Sequence, residues 1–163
     1  MMMQESGLPC RHMLIWVKNS PTFSIGRLDY DYQHEPILYG WPTDRSHEFQ
    51  GNGEFTKSVW PIKRESNPLH PTMKPVPIIE NAILNSSRKT EIVFDPFLGS
   101  GSTIIAAEKT GRLGRGLEIN PHYCDVIIER WQNFTGQSAV REDGLAYNEL
   151  KQKPDHESGQ GAE

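Results

Sequence analysis

Residues 94–119 read FDPFLGSGSTIIAAEKTGRLGRGLEI, and no other stretch restricts the fold as strongly. The run EIVFD (91–95) is β-branched and aromatic, which suits a strand. A glycine turn at 99–101 follows, then STIIAAEKT with its apolar residues at helical spacing, closed by Gly111. RGLEI (115–119) reads as a second strand that ends in an acid, Glu118. Strand, glycine turn, helix and strand in that order predict an α/β fold with parallel strands.

The rest of the chain supports the same class. HMLIWVK (12–18) and EPILYGW (35–41) are predicted strands, the first buried, and Pro42 marks the end of the second. From Pro42 to Leu69 the sequence is polar and rich in glycine, proline and charge, which predicts a long surface loop. Pro75 suits a helix start, and Ile78, Ile79, Ala82 and Ile83 follow at helical spacing. PHYCDVIIERWQNF (121–134) fits a helix with Val126, Ile127, Trp131 and Phe134 near one face. Beyond Arg141 a polar, acidic tail is expected to lack fixed structure. A chain of 163 residues suits one domain, yet the strands are few for a doubly wound sheet. The net charge of −4 excludes a general nucleic-acid-coating protein but not a local basic groove. Cys10 and Cys124 provide neither a disulfide framework nor metal-ligand spacing. With no signal peptide and no membrane-length apolar run, a soluble cytoplasmic protein is expected, with no membrane partner.

Three ligands compete for the glycine turn. A phosphate-cradling P-loop needs a lysine after its last glycine, and none follows Gly101. A dinucleotide fingerprint needs a third glycine where Ile104 stands, and Asp95 would face the pyrophosphate. A cationic cofactor suits that acid better. S-adenosylmethionine carries an ammonium and a sulfonium, both stabilised by a nearby carboxylate. In this reading Gly99 and Gly101 permit close backbone approach, and the start of the 102–110 helix receives the cofactor carboxylate. Glu118 stands where an acid binds two ribose hydroxyls. Without such a ligand, Asp95 is a turn cap and Glu118 a surface acid at a strand end.

A second stretch, NPLHPTMKPVPIIENAILNSS (67–87), precedes the glycine turn. Taken with DPFLGSGST and GLEINPHYCDVIIERW, it closely resembles DNA amino-methyltransferases that modify adenine N6 or cytosine N4. The resemblance is to the permuted branch, in which the target-base half precedes the cofactor half, and it covers roughly residues 7–137. It implies a Rossmann-like S-adenosylmethionine-dependent methyltransferase fold, truncated at the N-terminus. A partial domain would span 1–140, with target-side strands and loop at 11–69 and the cofactor half at 70–137, before a tail at 141–163. Such a truncation would leave an exposed sheet edge and uncovered apolar surface near MLIWV (13–17).

By position, Asp95, Phe97, Gly99, Gly101 and Ser102 match the cofactor loop of that family, and Glu118 the ribose-binding acid. Asn120 replaces the more usual aspartate after it. His70, Pro71, Thr72, Lys74 and Pro75 match the segment along the cofactor's methionine end. Trp16 and residues 29–35 match the target side, where Tyr30 would stack on a base and Lys18, Arg27 and Lys63 would touch phosphates.

The family's catalytic tetrapeptide joins a polar residue to Pro-Pro and an aromatic, which aim the target amine and stack on the flipped base. No such tetrapeptide occurs here, since SPTF (20–23) and NPHY (120–123) each lack the second proline. No catalytic residue is therefore assigned. The resemblance implies a site-specific DNA methyltransferase acting on double-stranded DNA, with adenine N6 as the expected target. The missing segment would sit on another polypeptide, or the chain would form a homo-oligomer. The alternatives are a non-catalytic cofactor- or DNA-binding remnant and a dehydrogenase-like use of the loop, the latter disfavoured by Asp95 and Ile104.

Overall fold

One helix serves as the wall of two small sheets. The computed structural model describes residues 7–21, 29–64 and 73–152. Strand β1 (Cys10–Val17) pairs antiparallel with β2 (His34–Gly40) and parallel with β3 (Val59–Pro61), in the order β2-β1-β3. Strands β4 (Ile92–Asp95) and β5 (Leu113–Gly116) form a parallel pair. The helices are α1 (Val76–Ser86), α2 (Ser102–Thr110), α3 (Pro121–Thr135) and α4 (Tyr147–Gln152).

Helix α1 starts at Pro75, which is fully buried, and carries Pro77 in its first turn, where a missing N–H breaks no helical bond. Its Val76 and Ile83 pack with Ile105, Ala106 and Ala107 of α2. Its Ile78 packs instead with Trp16, Trp60 and Ile62 of the three-stranded side. A third strip of the same helix is polar and still buried. Asn81 Oδ1 accepts from the Phe55 N–H (2.8 Å), and Asn85 Oδ1 accepts from the Gly53 N–H (2.9 Å). Both Nδ2 groups donate to the Phe55 carbonyl.

These bonds correct the expected surface loop over 42–69. That segment contains β3, and its 50–55 part is bound to α1 much as a neighbouring strand would be. Residues 65–69 lie outside the described residues. Asn81→Ala or Asn85→Ala strips half-buried backbone groups of Gly53 and Phe55 of their buried side-chain partners. Each should destabilise the fold by about 1–3 kcal/mol, read as a lower midpoint in a urea titration.

Among the described residues each sheet is packed on one face. On β4, Val93 packs into the α1–α2 cluster, while Ile92 and Phe94 point the other way and are 65% and 59% exposed. On the three-stranded sheet, Met13, its register partner Leu38, and Val59 are also exposed. The uncovered apolar surface expected around residues 13–17 is therefore present at Met13, but it is at least as prominent on β4. A three-layer α/β fold would put helices there.

Order continues past Arg141, where the sequence suggests an unstructured tail. Val140 bridges Ala146, and α4 docks on α3 through Tyr147, whose hydroxyl donates to Glu129, and through a Gln132–Asn148 side-chain bond. Burial, together with the acceptors Asp125 and Glu129, pushes the Tyr147 phenol well above its ordinary range. Residues 153–163 lie outside the described residues. Among the described residues no helix is long and apolar enough to cross a membrane.

Candidate cofactor site

The glycine turn joins β4 to α2, and two carboxylates hold it from either side. Asp95, the last residue of β4, accepts the Phe97 N–H on Oδ1 (2.9 Å) and the Thr103 hydroxyl on Oδ2 (2.6 Å). Glu118 accepts the Gly99 N–H on Oε2 (2.8 Å) and the Asn120 N–H on Oε1 (2.9 Å). The turn-cap reading of Asp95 is thus correct as far as it goes, and Glu118 is no loose surface acid. Each of these oxygens can still accept a further donor, because a carboxylate oxygen has two acceptor positions.

Strand β5 ends at Gly116, short of the expected 115–119 span, so Glu118 sits in the loop beyond it. Pairing stops there because β4 ends opposite, at Asp95, and turns away at Pro96. The Leu98 side chain also lies where a side chain on Gly116 would have to go. Backbone bonds from Leu117 to the Asp95 carbonyl and from Leu98 to the Leu117 carbonyl (both 3.0 Å) then lace the two loops together.

The two glycines of the turn have different roles. Both have positive φ, 54° at Gly99 and 78° at Gly101. A Cβ at Gly99 would meet nothing within 4 Å among the described residues, so this residue borders open space on the site. A side chain at Gly101 would lie 3.0 Å from Ile127 of α3. That corrects the expectation that both glycines make room for a ligand: Gly101 makes room for α3. Helix α3 holds the turn a second way, since Arg130 Nη1 donates to the Ser100 carbonyl (2.9 Å) and to Ser102 Oγ (3.1 Å).

Ser102 is buried, and its hydroxyl donates to the Lys74 carbonyl (2.9 Å). This brings the segment before α1 against the start of α2, as the order of the two motifs suggests. Phe97 is 86% exposed at the rim. His70, Pro71 and Thr72, and also Arg27, lie outside the described residues.

Lys18 does not face solvent as expected of a phosphate ligand. Its side chain is only 5% exposed and pairs with Glu35 Oε1 at 2.9 Å. Lys74 pairs with the other oxygen of the same carboxylate. Burial pushes the Glu35 carboxyl up, but hydrogen bonds and charge from Lys18 and Lys74 outweigh it and hold the group below the usual glutamate range. The stabilisation this pairing gives is therefore present above that range and lost as pH falls through the lowered value. Tyr30 and Lys63 are exposed, and Lys63 adjoins the end of β1 through a bond from the Arg64 N–H to Asn19. Sequence reasoning does not single out Thr103, Arg130 or Glu35 as site residues. Each lies within a matched segment, but the partners are 8, 28–30 and 17–39 residues away, so the pattern does not show what these side chains bind.

A strand-end aspartate, a glycine turn at a helix start and a glutamate beyond the next strand define an α/β fold of the nucleotide-cofactor kind. Residues 1–129 match the N6_N4_Mtase family of DNA methylases, and the chain belongs to that family. It is 29% identical over 140 residues to the type II methyltransferase M.Cfr9I of Citrobacter freundii, covering 80% of this chain and 47% of that protein. It is 26% identical over 144 residues to the type II methyltransferase M2.LlaDCHI of Lactococcus lactis subsp. cremoris, covering 80% and 54%. The chain thus spans about half the length of the curated relatives it matches. Among solved structures, the M1.HpyAVI–SAM complex superposes with a TM-score of 0.65 at 28% identity, over 78% of this chain and 64% of that one. The cytosine-N4-specific PvuII DNA methyltransferase shares the fold, with a TM-score of 0.65 at 18% identity over 80% and 54%.

Proposed function

We propose that this chain is the cofactor-binding portion of a DNA amino-methyltransferase. It would bind S-adenosylmethionine over the glycine turn and present the methyl group to an exocyclic amine, adenine N6 or cytosine N4, of a base flipped from double-stranded DNA. The observation that carries the reading is the arrangement at Gly99: open space beside a positive-φ glycine, with the Asp95 and Glu118 carboxylates bonded to the same turn. Two carboxylates suit a cofactor that has an ammonium, a sulfonium and ribose hydroxyls, and they disfavour a pyrophosphate. Family membership supports it, and so does the cofactor complex of the related M1.HpyAVI.

Two parts of the reading concern partners. The bare apolar faces at Ile92 and Phe94 and at Met13 and Leu38 favour a partner segment or a second copy of the chain over a lone monomer. DNA would approach on the side of Tyr30 and Lys63.

Calorimetric titration with S-adenosylmethionine, its demethylated product and NAD tests the cofactor assignment. Binding of the first two is expected. Asp95→Ala should weaken it by about 1–3 kcal/mol, the range for a charge-assisted bond. Tight NAD binding with no response to S-adenosylmethionine would overturn the reading. An adenine N6 target is decided by digesting methylated product DNA and identifying the modified base.

A further inference from the structure

Glu35 joins the three-stranded sheet to the glycine-turn half, although the sequence places it only in the target-side run 29–35. Its carboxylate lies between Lys18, just past β1, and Lys74, just before α1. Lys18 is buried, and a buried ammonium needs a counter-charge. Glu35 Oε1 supplies it, while Oε2 is left for Lys74. Both ammonium groups also sit over the Trp16 ring, 5.5 and 5.4 Å from its centroid. That ring is fixed in turn, because Trp16 Nε1 donates to the Ile62 carbonyl at 2.6 Å. The Lys74 side chain, half exposed, therefore lies between the fixed Trp16 ring and the Glu35 carboxylate.

The main chain of Lys74 meets the other half of the site. Its carbonyl accepts from Ser102 Oγ at 2.9 Å, and Ser102 opens α2 directly after Gly101. Placing Lys74 thus places the carbonyl that holds Ser102, and with it the start of α2, whose free N–H groups suit an anionic group. We propose that Glu35 is a positioning residue of the cofactor site, seating Lys74 so that the start of α2 can receive the amino-acid end of the cofactor. This inference rests on the S-adenosylmethionine reading of the glycine turn. A plain internal ion pair that only satisfies Lys18 is the competing account. The two differ in which end of the ligand feels the loss, since the ribose end is assigned to Glu118.

The test is calorimetric titration of the full chain with two probes: S-adenosylhomocysteine, and 5′-methylthioadenosine, which lacks the amino-acid end. Glu35→Gln should weaken S-adenosylhomocysteine about tenfold, the size of one charge-assisted bond, and change methylthioadenosine less than about twofold. Lys74→Met should do the same, and the double variant should be no weaker than Lys74→Met alone, because coupled residues are not additive. If Glu35→Gln unfolds by removing the counter-charge of Lys18, the Lys18→Met/Glu35→Leu variant removes both charges and should show the same ligand-selective loss. Unchanged affinity in Glu35→Gln, equal loss of both probes, or additive losses would each overturn the proposal. If the unaltered chain binds neither probe, the cofactor reading itself fails and this inference falls with it.

Discussion

Gly99→Val is expected to abolish S-adenosylmethionine binding with a small loss of stability, whereas Gly101→Val is expected to impair folding itself. The contrast follows from what surrounds each residue. At Gly99 the added Cβ meets no atom of the described residues within 4 Å, so the valine side chain enters the space assigned to the ligand. The strain of a β-branched residue at a φ of 54° should cost about 1–2 kcal/mol. At Gly101 the added Cβ alone meets Ile127 at 3.0–3.3 Å. Overpacking there adds about 1–3 kcal/mol to the strain at a φ of 78°, and it separates α3 from the start of α2. Thermal midpoints and calorimetric titration measured side by side should show a folded, non-binding variant and a poorly folded one. Wild-type affinity in a folded Gly99→Val chain would mean that no ligand lies over this turn.

Much of this arrangement is legible in the sequence because punctuation and periodicity agree with tertiary demand. Pro75 and Gly111 mark real helix ends, and the apolar spacing of α1 and α2 matches their packed faces. Where sequence and structure part, the causes are physical. Strand β5 is Leu-Gly-Arg-Gly, which has no local strand preference. It exists because β4 pairs with it and because Gly114 lets Ile104 and Ala107 of α2 come close. Strand β3 is three residues long and ends in proline, too short for any period to register. Asn81 and Asn85 look like solvent positions on a helix until the 50–55 segment, 26–32 residues upstream, is laid against them. The burial of Lys18 escapes a sequence reading for a similar reason. Its partner Glu35 is brought near by the β1–β2 register, which sets Trp16 opposite Glu35, and nothing in the spacing of the two residues announces the pair.

The 163-residue chain alone is expected to bind cofactor and to transfer no measurable methyl group to duplex DNA. With S-adenosylmethionine as the methyl donor that the family resemblance implies, direct transfer to an amine would draw its acceleration from orienting two bound reactants. Such orientation is worth on the order of 7–11 kcal/mol, and it is forfeited when one reactant has no clamp. The glycine turn can orient the cofactor. A flipped base needs its own acceptor and its own stacking surface, and the Pro-Pro tetrapeptide that would supply both does not occur in the sequence. The nearest substitute, NPHY at 120–123, is otherwise engaged, because Asn120 Oδ1 accepts the His122 N–H as the N-cap of α3. Incubation with labelled S-adenosylmethionine and duplex DNA should therefore give background counts. Counts should rise when a segment carrying the tetrapeptide is supplied, fused or in trans, and the apolar faces at Phe94 and Leu38 offer it somewhere to pack. Robust turnover by the chain alone would show that another residue aims the amine, and would relocate the catalytic centre to a part of the molecule that the family resemblance does not indicate.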